Sequence, residues 1–289
     1  MLEEVIKYLK VKPGGIYIDC TLGGAGYTLE IAKRAGKKGR VLALDMDKSA
    51  ILNAKHKIRV AKIENVILVN ENFKNIVTVF KNYFKKGELV DGVVFDLGLS
   101  SFQLDDDKRS FSFQSDAPLN MAFGDLAENS TEDIVNSYSL LDLTRIFRDY
   151  SEEKYAYQIA KEIIQRRKIE RIKSVKDLVE IIVSKYPKRS YYKIHPATKV
   201  FQALRMETNQ EFDNLRLALS GLSSILKFKG RVVVVSFHSG EDRIVKQFFK
   251  GNEEIMPLVK KPVIPSDKEK QENPRSRSAK LRSGIKVIA

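Results

Sequence analysis

The sequence is poor in cysteine, in long apolar runs and in N-terminal positive charge. Cys20 is the one cysteine in 289 residues, so no disulfide can form within the chain. No apolar run approaches the ~18 residues of a membrane-spanning helix. Glu3 and Glu4 stand where a secretory leader would carry Lys or Arg. These absences exclude a disulfide-stapled or membrane-spanning protein and predict a cytoplasmic one.

Positive charge is abundant and concentrated. The net charge is +14, and residues 145–199 hold 15 Lys and Arg against 7 Asp and Glu. Residues 260–286 hold 9 against 3, so these two segments account for the whole excess. Concentrated basic segments in an otherwise balanced chain indicate a polyanionic partner, and we expect nucleic acid.

A glycine-rich stretch, residues 19–28, follows the short apolar run 15–18 and precedes a helical pattern. It predicts a strand-to-helix turn that contains Gly23, Gly24 and Gly26, because glycine allows tight turns and close approach of a ligand. In a doubly wound sheet such a turn lies at the carboxyl end of the first strand, where ligands bind.

Predicted strands and helices alternate up to Asp96, which indicates βαβ units and a parallel sheet. The first, second and fourth strands end at Asp19, Asp45 and Asp96, and Phe73 follows the third. Right-handed crossovers place these four residues along one edge of the sheet.

The alternation then breaks. Helical periodicity over 131–200 predicts an inserted helical domain at 106–204. The flanking residues, 1–105 and 205–289, form the predicted Rossmann-like domain. We expect this insertion, which carries the larger basic segment, to recognise the substrate.

The predicted sheet resumes after the insertion. A helix over 208–227 precedes the very apolar strand 232–235, and residues 285–288 form a last strand. Together with the first half of the chain, these elements predict an α/β fold with a mainly parallel sheet.

The residues leave three possibilities for the glycine turn. It binds a dinucleotide, it binds S-adenosylmethionine, or it is a tight turn without a ligand. Asp45, at the tip of strand two, can accept hydrogen bonds from ribose hydroxyls. A dinucleotide site needs a third glycine, but Leu29 stands in that position. S-adenosylmethionine needs no pyrophosphate cradle but does need an acid near the turn, and Asp19 could serve. The loop therefore favours S-adenosylmethionine.

Several motifs, in order along nearly the whole chain, resemble one family. They are residues 19–27 (DCTLGGAGY), 96–105 (DLGLSSFQLD), 109–113 (RSFSF), 195–198 (HPAT), 201–205 (FQALR), 236–239 (SFHS), 241–243 (EDR) and 273–282 (NPRSRSAKLR). The set is similar to the ribosomal RNA small subunit methyltransferase H family. The resemblance implies a class I S-adenosylmethionine-dependent methyltransferase fold with a Rossmann-like, mainly parallel seven-stranded sheet. It also implies methylation of N4 of a cytidine in the decoding region of 16S rRNA. Free RNA and the assembled small ribosomal subunit are both open as substrate, and the subunit is favoured because so short a target needs its context to be distinctive.

The resemblance and the residues together give a predicted cofactor site. Its members come from the glycine loop, the strand tips and the stretch after strand four. They are Asp19, Gly24, Ala25, Gly26, Tyr27, Asp45, Phe73, Asp96 and Gln103. We expect no metal, because the sulfonium methyl group is already activated.

The cytosine amine is a poor nucleophile because its lone pair is delocalised into the ring. We expect an oxygen atom that accepts its N–H to help the nitrogen become tetrahedral. Asp96, or a backbone carbonyl just after it, stands in the right place, and Ser100 lies in that stretch. His238 follows the fifth strand, and the sequence does not decide whether it contacts the substrate. For His195, which precedes Pro196 at a helix start, capping or RNA contact is favoured over proton transfer.

Basic residues mixed with tyrosines suit RNA, because phosphates meet cations and unstacked bases meet aromatic rings. The loops of the insertion are predicted to include residues 166–168 and 188–193. The predicted RNA contacts are Arg109, Arg166, Arg167, Lys188, Arg189, His195, Arg205, Arg275 and Arg277. A homodimer is left open.

The chain departs from the family pattern at several places, and two of them bear on the predicted site. Tyr27 stands where the family usually has histidine, and residues 116–124 (DAPLNMAFG) lack three charges of the usual loop. Three interpretations follow: an active rRNA methyltransferase, a divergent RNA-binding assembly protein without that chemistry, and a nicotinamide-dependent oxidoreductase. The ordered motifs favour the first.

Overall fold

The computed structural model describes residues 1–98, 117–125, 127, 129–187, 192 and 194–288. It divides into two compact units, one made of Met1–Ser100 with Phe212–Ala289 and the other of Ser101–Glu211. We call them the sheet unit and the helical unit. The predicted insertion, 106–204, starts five residues after the first residue of the helical unit and ends seven residues before its last residue.

The sheet unit is organised by seven strands. They are β1 (Ile16–Asp19), β2 (Arg40–Asp45), β3 (Val66–Asn70), β4 (Val90–Asp96), β5 (Leu226–Ser236), β6 (Ile255–Pro257) and β7 (Lys280–Lys286). Their order across the sheet is β3-β2-β1-β4-β5-β7-β6. The pairs from β3 to β5 are parallel, and β7 is antiparallel to both of its neighbours. All four residues of β1 are buried, as in a parallel strand covered on both faces.

The helices are numbered along the chain. They are α1 (Leu2–Leu9), α2 (Gly26–Ala35), α3 (Lys48–Val60), α4 (Ile76–Tyr83), α5 (Thr131–Ser137), α6 (Leu140–Ser151), α7 (Ala156–Ile169), α8 (Val175–Ser184), α9 (Ala197–Thr208), α10 (Glu211–Gly221), α11 (Ser239–Gly251) and α12 (Asp267–Glu272). In the described residues, none of them combines the length and the apolar character that crossing a membrane requires. In the sheet unit α1 and α2 contribute Leu9 and Ile31 to a buried apolar cluster that includes Tyr17 and Val94 of the strands.

The helical unit has its own apolar core. Ile159 and Ile163 of α7 and Leu178 and Ile182 of α8 are fully buried in it, together with Phe147. The four-residue spacing of apolar side chains therefore marked the buried faces of these two helices correctly.

The strand order reverses at β1, which lies between β2 and β4. Asp19, Asp45 and Asp96 end β1, β2 and β4, and their registers put them at one edge of the sheet. Because loops diverge on the two sides of a reversal, this edge holds the crevice in which open α/β sheets bind ligands.

Two sequence predictions are wrong in their bounds. The helix expected over 208–227 ends at Gly221, and Leu226 already pairs with Val90 in the sheet. The last strand lies earlier than the predicted 285–288, at Lys280–Lys286. Pairing with a distant strand decides both segments, and short-range periodicity carries no information on such pairing.

Candidate active site

The glycine loop joins β1 to α2 and leaves its backbone open. Ala25 precedes α2 with a left-handed φ of 66°, and Gly23 has a φ of 44°. A Cβ placed on Gly24 or on Gly26 would meet no atom within 4 Å, so both positions face open space. The N-terminal N–H groups of α2 are therefore approachable, and such groups favour polar or negative ligand atoms.

Asp45 is fixed by the loop and by its own turn. Its carboxylate accepts the backbone N–H of Gly23 at 2.8 Å and that of Asp47 at 2.9 Å. The Asn70 side-chain amide donates to the carbonyls of Asp45 and Met46, both at 2.9 Å. Burial raises the pKa of Asp45 to about 6, against these hydrogen bonds, which lower it. The half-buried carboxylate is thus held at the sheet edge as an acceptor.

Asp19 is the last residue of β1. Its side chain is fully buried beneath the loop, with a relative exposure of 0%. It accepts the hydroxyl of Thr28 at 2.6 Å and the N–H of Thr21 at 3.1 Å. Burial raises its pKa, although these hydrogen bonds lower it. Asp19 therefore stabilises the loop through Thr21 and Thr28, and its contact with the cofactor stays a prediction.

Asp96 presents an unsatisfied oxygen at the end of β4. Its Oδ1 is buried and has no hydrogen-bond partner among the described residues, whereas its backbone N–H donates to Thr21 Oγ1 at 2.6 Å. Burial raises the pKa of Asp96 to about 7, and the charge of Asp19 adds to the shift. A buried acceptor without a donor is costly, so its retention indicates that a ligand supplies the donor.

Two aromatic residues border this edge. Phe73, just after β3, is half-buried and its ring meets that of Phe95 edge-on, with 5.7 Å between centroids. Tyr27 is half-buried in the first turn of α2, and burial raises the pKa of its phenol, which stays neutral at physiological pH. Their contact with the cofactor stays a prediction.

The predicted catalytic His238 serves as the N-cap of α11. Its Nδ1 accepts the N–H of Glu241 at 3.4 Å, and the Glu241 carboxylate accepts the N–H of Phe237 at 2.8 Å. Its ring also lies 5.7 Å from that of Phe212. These contacts support a structural role, and proton transfer by His238 stays a prediction. Ser100, the other predicted catalytic residue, lies outside the described residues, as does Gln103.

Two of the predicted RNA contacts are engaged within the protein. Residues 166–168 form the last turn of α7, so their prediction as a loop is wrong. Arg167 Nη1 donates to the carbonyl of Val135 at 2.9 Å. Arg205 makes a two-point ion pair with Glu211 at 2.8 and 3.0 Å. Both guanidinium groups therefore stabilise the helical unit.

The remaining predicted RNA contacts divide into exposed and undescribed residues. Arg166, Arg275 and Arg277 are exposed. His195 is exposed too, and its Nδ1 accepts the N–H of Ala197 at 3.2 Å, as in a cap. Arg109, Lys188 and Arg189 lie outside the described residues.

Sequence reasoning missed the side chains that hold the site together. Thr21 and Thr28 satisfy Asp19 and Asp96, and Asn70 fixes the turn after Asp45. The two-residue spacing of Asp19 and Thr21 is typical of an Asx-turn and was the one available signal for Thr21. Nothing local points to Asn70, because its partners belong to another strand.

The fold and the site define a Rossmann-like protein that binds a nucleoside ligand at the carboxyl edge of a mostly parallel sheet. Comparison with known proteins makes this specific. The chain belongs to the MraW methylase family, whose model matches residues 1–287, and is therefore a methyltransferase. This confirms the predicted family resemblance and its class I, Rossmann-like fold.

Two curated relatives illustrate the match. Ribosomal RNA small subunit methyltransferase H of Clostridium botulinum is 41% identical over an alignment of 305 positions, gaps included, which covers 99% of this chain and 97% of the relative. The protein of the same name from Petrotoga mobilis is 42% identical over 285 residues, which cover 98% of each. The similarity thus extends through both units.

Proposed function

We propose that this methyltransferase moves the methyl group of S-adenosylmethionine to the N4 amine of a cytidine in the decoding region of 16S rRNA. Its substrate is the small ribosomal subunit in the cytoplasm. The observation that carries the chemistry is the buried Oδ1 of Asp96 at the end of β4, which has no hydrogen-bond partner among the described residues. The names of the relatives, which specify small-subunit ribosomal RNA, support the substrate.

The residues at the sheet edge fit S-adenosylmethionine. The backbone at Gly24 and Gly26 is open to close approach, and Asp45 offers a fixed acceptor for ribose hydroxyls. In the described part of the chain, neither Asp45 nor Asp96 is paired with Lys or Arg. A cationic cofactor compensates the negative charge of these two carboxylates. When bound, it supplies a methyl group already activated on positively charged sulfur.

The two aromatic residues complete this fit. Phe73, held edge-on by Phe95, offers an apolar surface for the adenine. Tyr27 replaces the usual histidine of the family with a neutral phenol, so this position adds no positive charge to compete with the cofactor. Cofactor binding therefore tolerates this departure.

Asp96 acts on the amine. An exocyclic cytosine amine is a weak nucleophile, and a carboxylate that accepts its N–H helps the nitrogen become tetrahedral. Only the ionised form of Asp96 can accept without donating, and its pKa of about 7 makes that form available near neutral pH. The amine proton becomes acidic as the new bond forms, so it can leave to water. The reaction therefore depends more on positioning the amine in line with the methyl group than on a strong base.

RNA binding is assigned to the two basic segments. Arg275 and Arg277 expose their guanidinium groups in the sheet unit, and Arg166 exposes one in the helical unit. Such groups meet phosphates without reading bases. The target cytidine leaves its stack to reach Asp96.

The test is methyl transfer from labelled S-adenosylmethionine to small-subunit particles that lack the modification, with the labelled nucleoside identified by mass spectrometry. We expect N4-methylcytidine from the wild type. Asp96→Asn keeps the shape of the side chain and should lower kcat by about 100-fold or more, while calorimetry finds the cofactor still bound.

Asp177→Asn is the matched control, because it changes a carboxylate of the helical unit that caps α8. It should methylate normally. Full activity in Asp96→Asn would remove Asp96 from the mechanism. Cofactor binding without any transfer by the wild type would contradict the proposed reaction and favour the non-catalytic assembly protein.

A further inference from the structure

Thr21 connects the cofactor loop to the catalytic strand tip. Its hydroxyl oxygen accepts the backbone N–H of Asp96, with 2.6 Å between N and O. Its own backbone N–H donates to Asp19 Oδ1 at 3.1 Å. Thr21 of the glycine loop thus contacts both the buried Asp19 and the catalytic candidate Asp96.

The position of Thr21 follows from the end of a strand ladder. β1 pairs with β4 up to Asp19 opposite Val94, and the N–H of Cys20 then donates to the carbonyl of Val94 at 2.9 Å. Beyond this point β1 turns away, so Asp96 has no backbone acceptor on that side. The Thr21 hydroxyl takes the place of the missing carbonyl and extends the ladder by one hydrogen bond.

Asp19 holds Thr21 from below. Its second oxygen accepts the hydroxyl of Thr28, in the first turn of α2, at 2.6 Å. The hydrogen bonds therefore run without a break from Thr28 through Asp19 and Thr21 to the N–H of Asp96. Asp19 and Thr28 are fully buried, so water does not compete for these bonds.

We propose that Thr21 is a positioning residue: its hydroxyl fixes the backbone of Asp96 so that the carboxylate points at the substrate amine. This inference rests on the proposed function, because it assigns Thr21 to the same methyl transfer. A residue that orients an acceptor affects the chemical step more than cofactor binding.

The experiment compares Thr21→Val with Thr21→Ser. Valine keeps the branched shape but removes the acceptor, and serine keeps the hydroxyl. We expect Thr21→Val to lower kcat about tenfold, equivalent to about 1.4 kcal/mol, with little change in the dissociation constant of S-adenosylmethionine. Thr21→Ser should restore most of kcat.

Thr28→Val is the comparison variant. It removes a hydrogen bond to the same Asp19 on the side of α2, so it should weaken cofactor binding more than it lowers kcat. If Thr21→Val weakens cofactor binding as Thr28→Val does and leaves kcat unchanged, Thr21 only folds the loop and the proposal is wrong.

A second measurement does not depend on activity. Amide hydrogen exchange of the cofactor-free protein should show faster exchange at the N–H of Asp96 in Thr21→Val than in the wild type or in Thr21→Ser. Unchanged exchange would overturn the proposal. If the wild type fails to methylate while exchange at Asp96 is still faster in Thr21→Val, the proposed function and the catalytic role of Thr21 are wrong, and the hydrogen bond from Asp96 to Thr21 is still supported.

Discussion

Two carboxylates at the sheet edge and two in the helical unit differ in the direction of their pKa shift. At the sheet edge, burial raises the pKa of Asp45 to about 6 and that of Asp96 to about 7. In the helical unit, the pKa of Asp133 is lowered by hydrogen bonds from Ser130 and Arg171. The pKa of Asp177 is also lowered, chiefly by the hydroxyl that it meets at the start of α8.

For these four residues, the direction of the shift separates acids at helix starts from acids that we assign to a ligand. Asp133 and Asp177 accept hydrogen bonds from the capping serines of their own helices, and Asp133 also accepts one from Arg171, so their ionised forms are favoured in the folded state. Asp45 and Asp96 lose hydration, and within the described part of the chain neither forms an ion pair with Lys or Arg. Because their folded pKa values are raised, their favourable contribution to stability exists below pH ~4 and is lost as pH rises through about 6 to 7. The fold tolerates this cost where a cationic cofactor binds.

The largest expected effect is on cofactor affinity and comes from removing the carboxylate of Asp45 at the sheet edge. Asp45→Ala removes the acceptor of two backbone N–H groups, and with it the proposed acceptor of the ribose hydroxyls. We expect the dissociation constant of S-adenosylmethionine to rise about 30- to 100-fold, since hydrogen bonds to charged groups contribute about 1.5–3 kcal/mol each. Isothermal titration calorimetry measures it. A change below threefold would show that Asp45 supports only the turn.

The second effect is a dependence on pH. Asp96 must be ionised to accept the amine, and its raised pKa puts ionisation near pH 7. Below that pKa, kcat/KM should fall about tenfold per pH unit. Bound S-adenosylmethionine is cationic and lowers the pKa, so the profile of kcat should turn at a lower pH than that of kcat/KM. Profiles that stay flat between pH 5.5 and 8.5 would contradict this role.

The smallest effect belongs to the helical unit. Ser174 and Asp177 form a reciprocal capping box at the start of α8, with both hydrogen bonds at 3.2 Å. Ser174→Ala should lower the free energy of unfolding by about 1 kcal/mol, measured by urea denaturation, without changing the affinity for S-adenosylmethionine. Weakened cofactor binding in this variant would break the proposed separation of the two kinds of carboxylate.

The site was predictable where its chemistry is local. The glycine turn, Asp45 and Asp96 stand at strand ends that alternating apolar runs mark in the sequence, and the parallel sheet brings them to one edge. The buried faces of α7 and α8 were equally readable from their spacing. The roles of Arg167 and Arg205 were not, because their acceptors come from other turns and helices.

The sequence by itself determined the alternation of strands and helices, the turn after β1 and the family, since these depend on neighbouring residues and on motif order. Only the tertiary structure decided that Asp19 is buried, that Thr21 completes the β4 ladder and that the segment from Leu226 is strand. Each of these depends on which strand lies alongside, and hydrogen bonding between distant segments leaves no periodic signal in the chain.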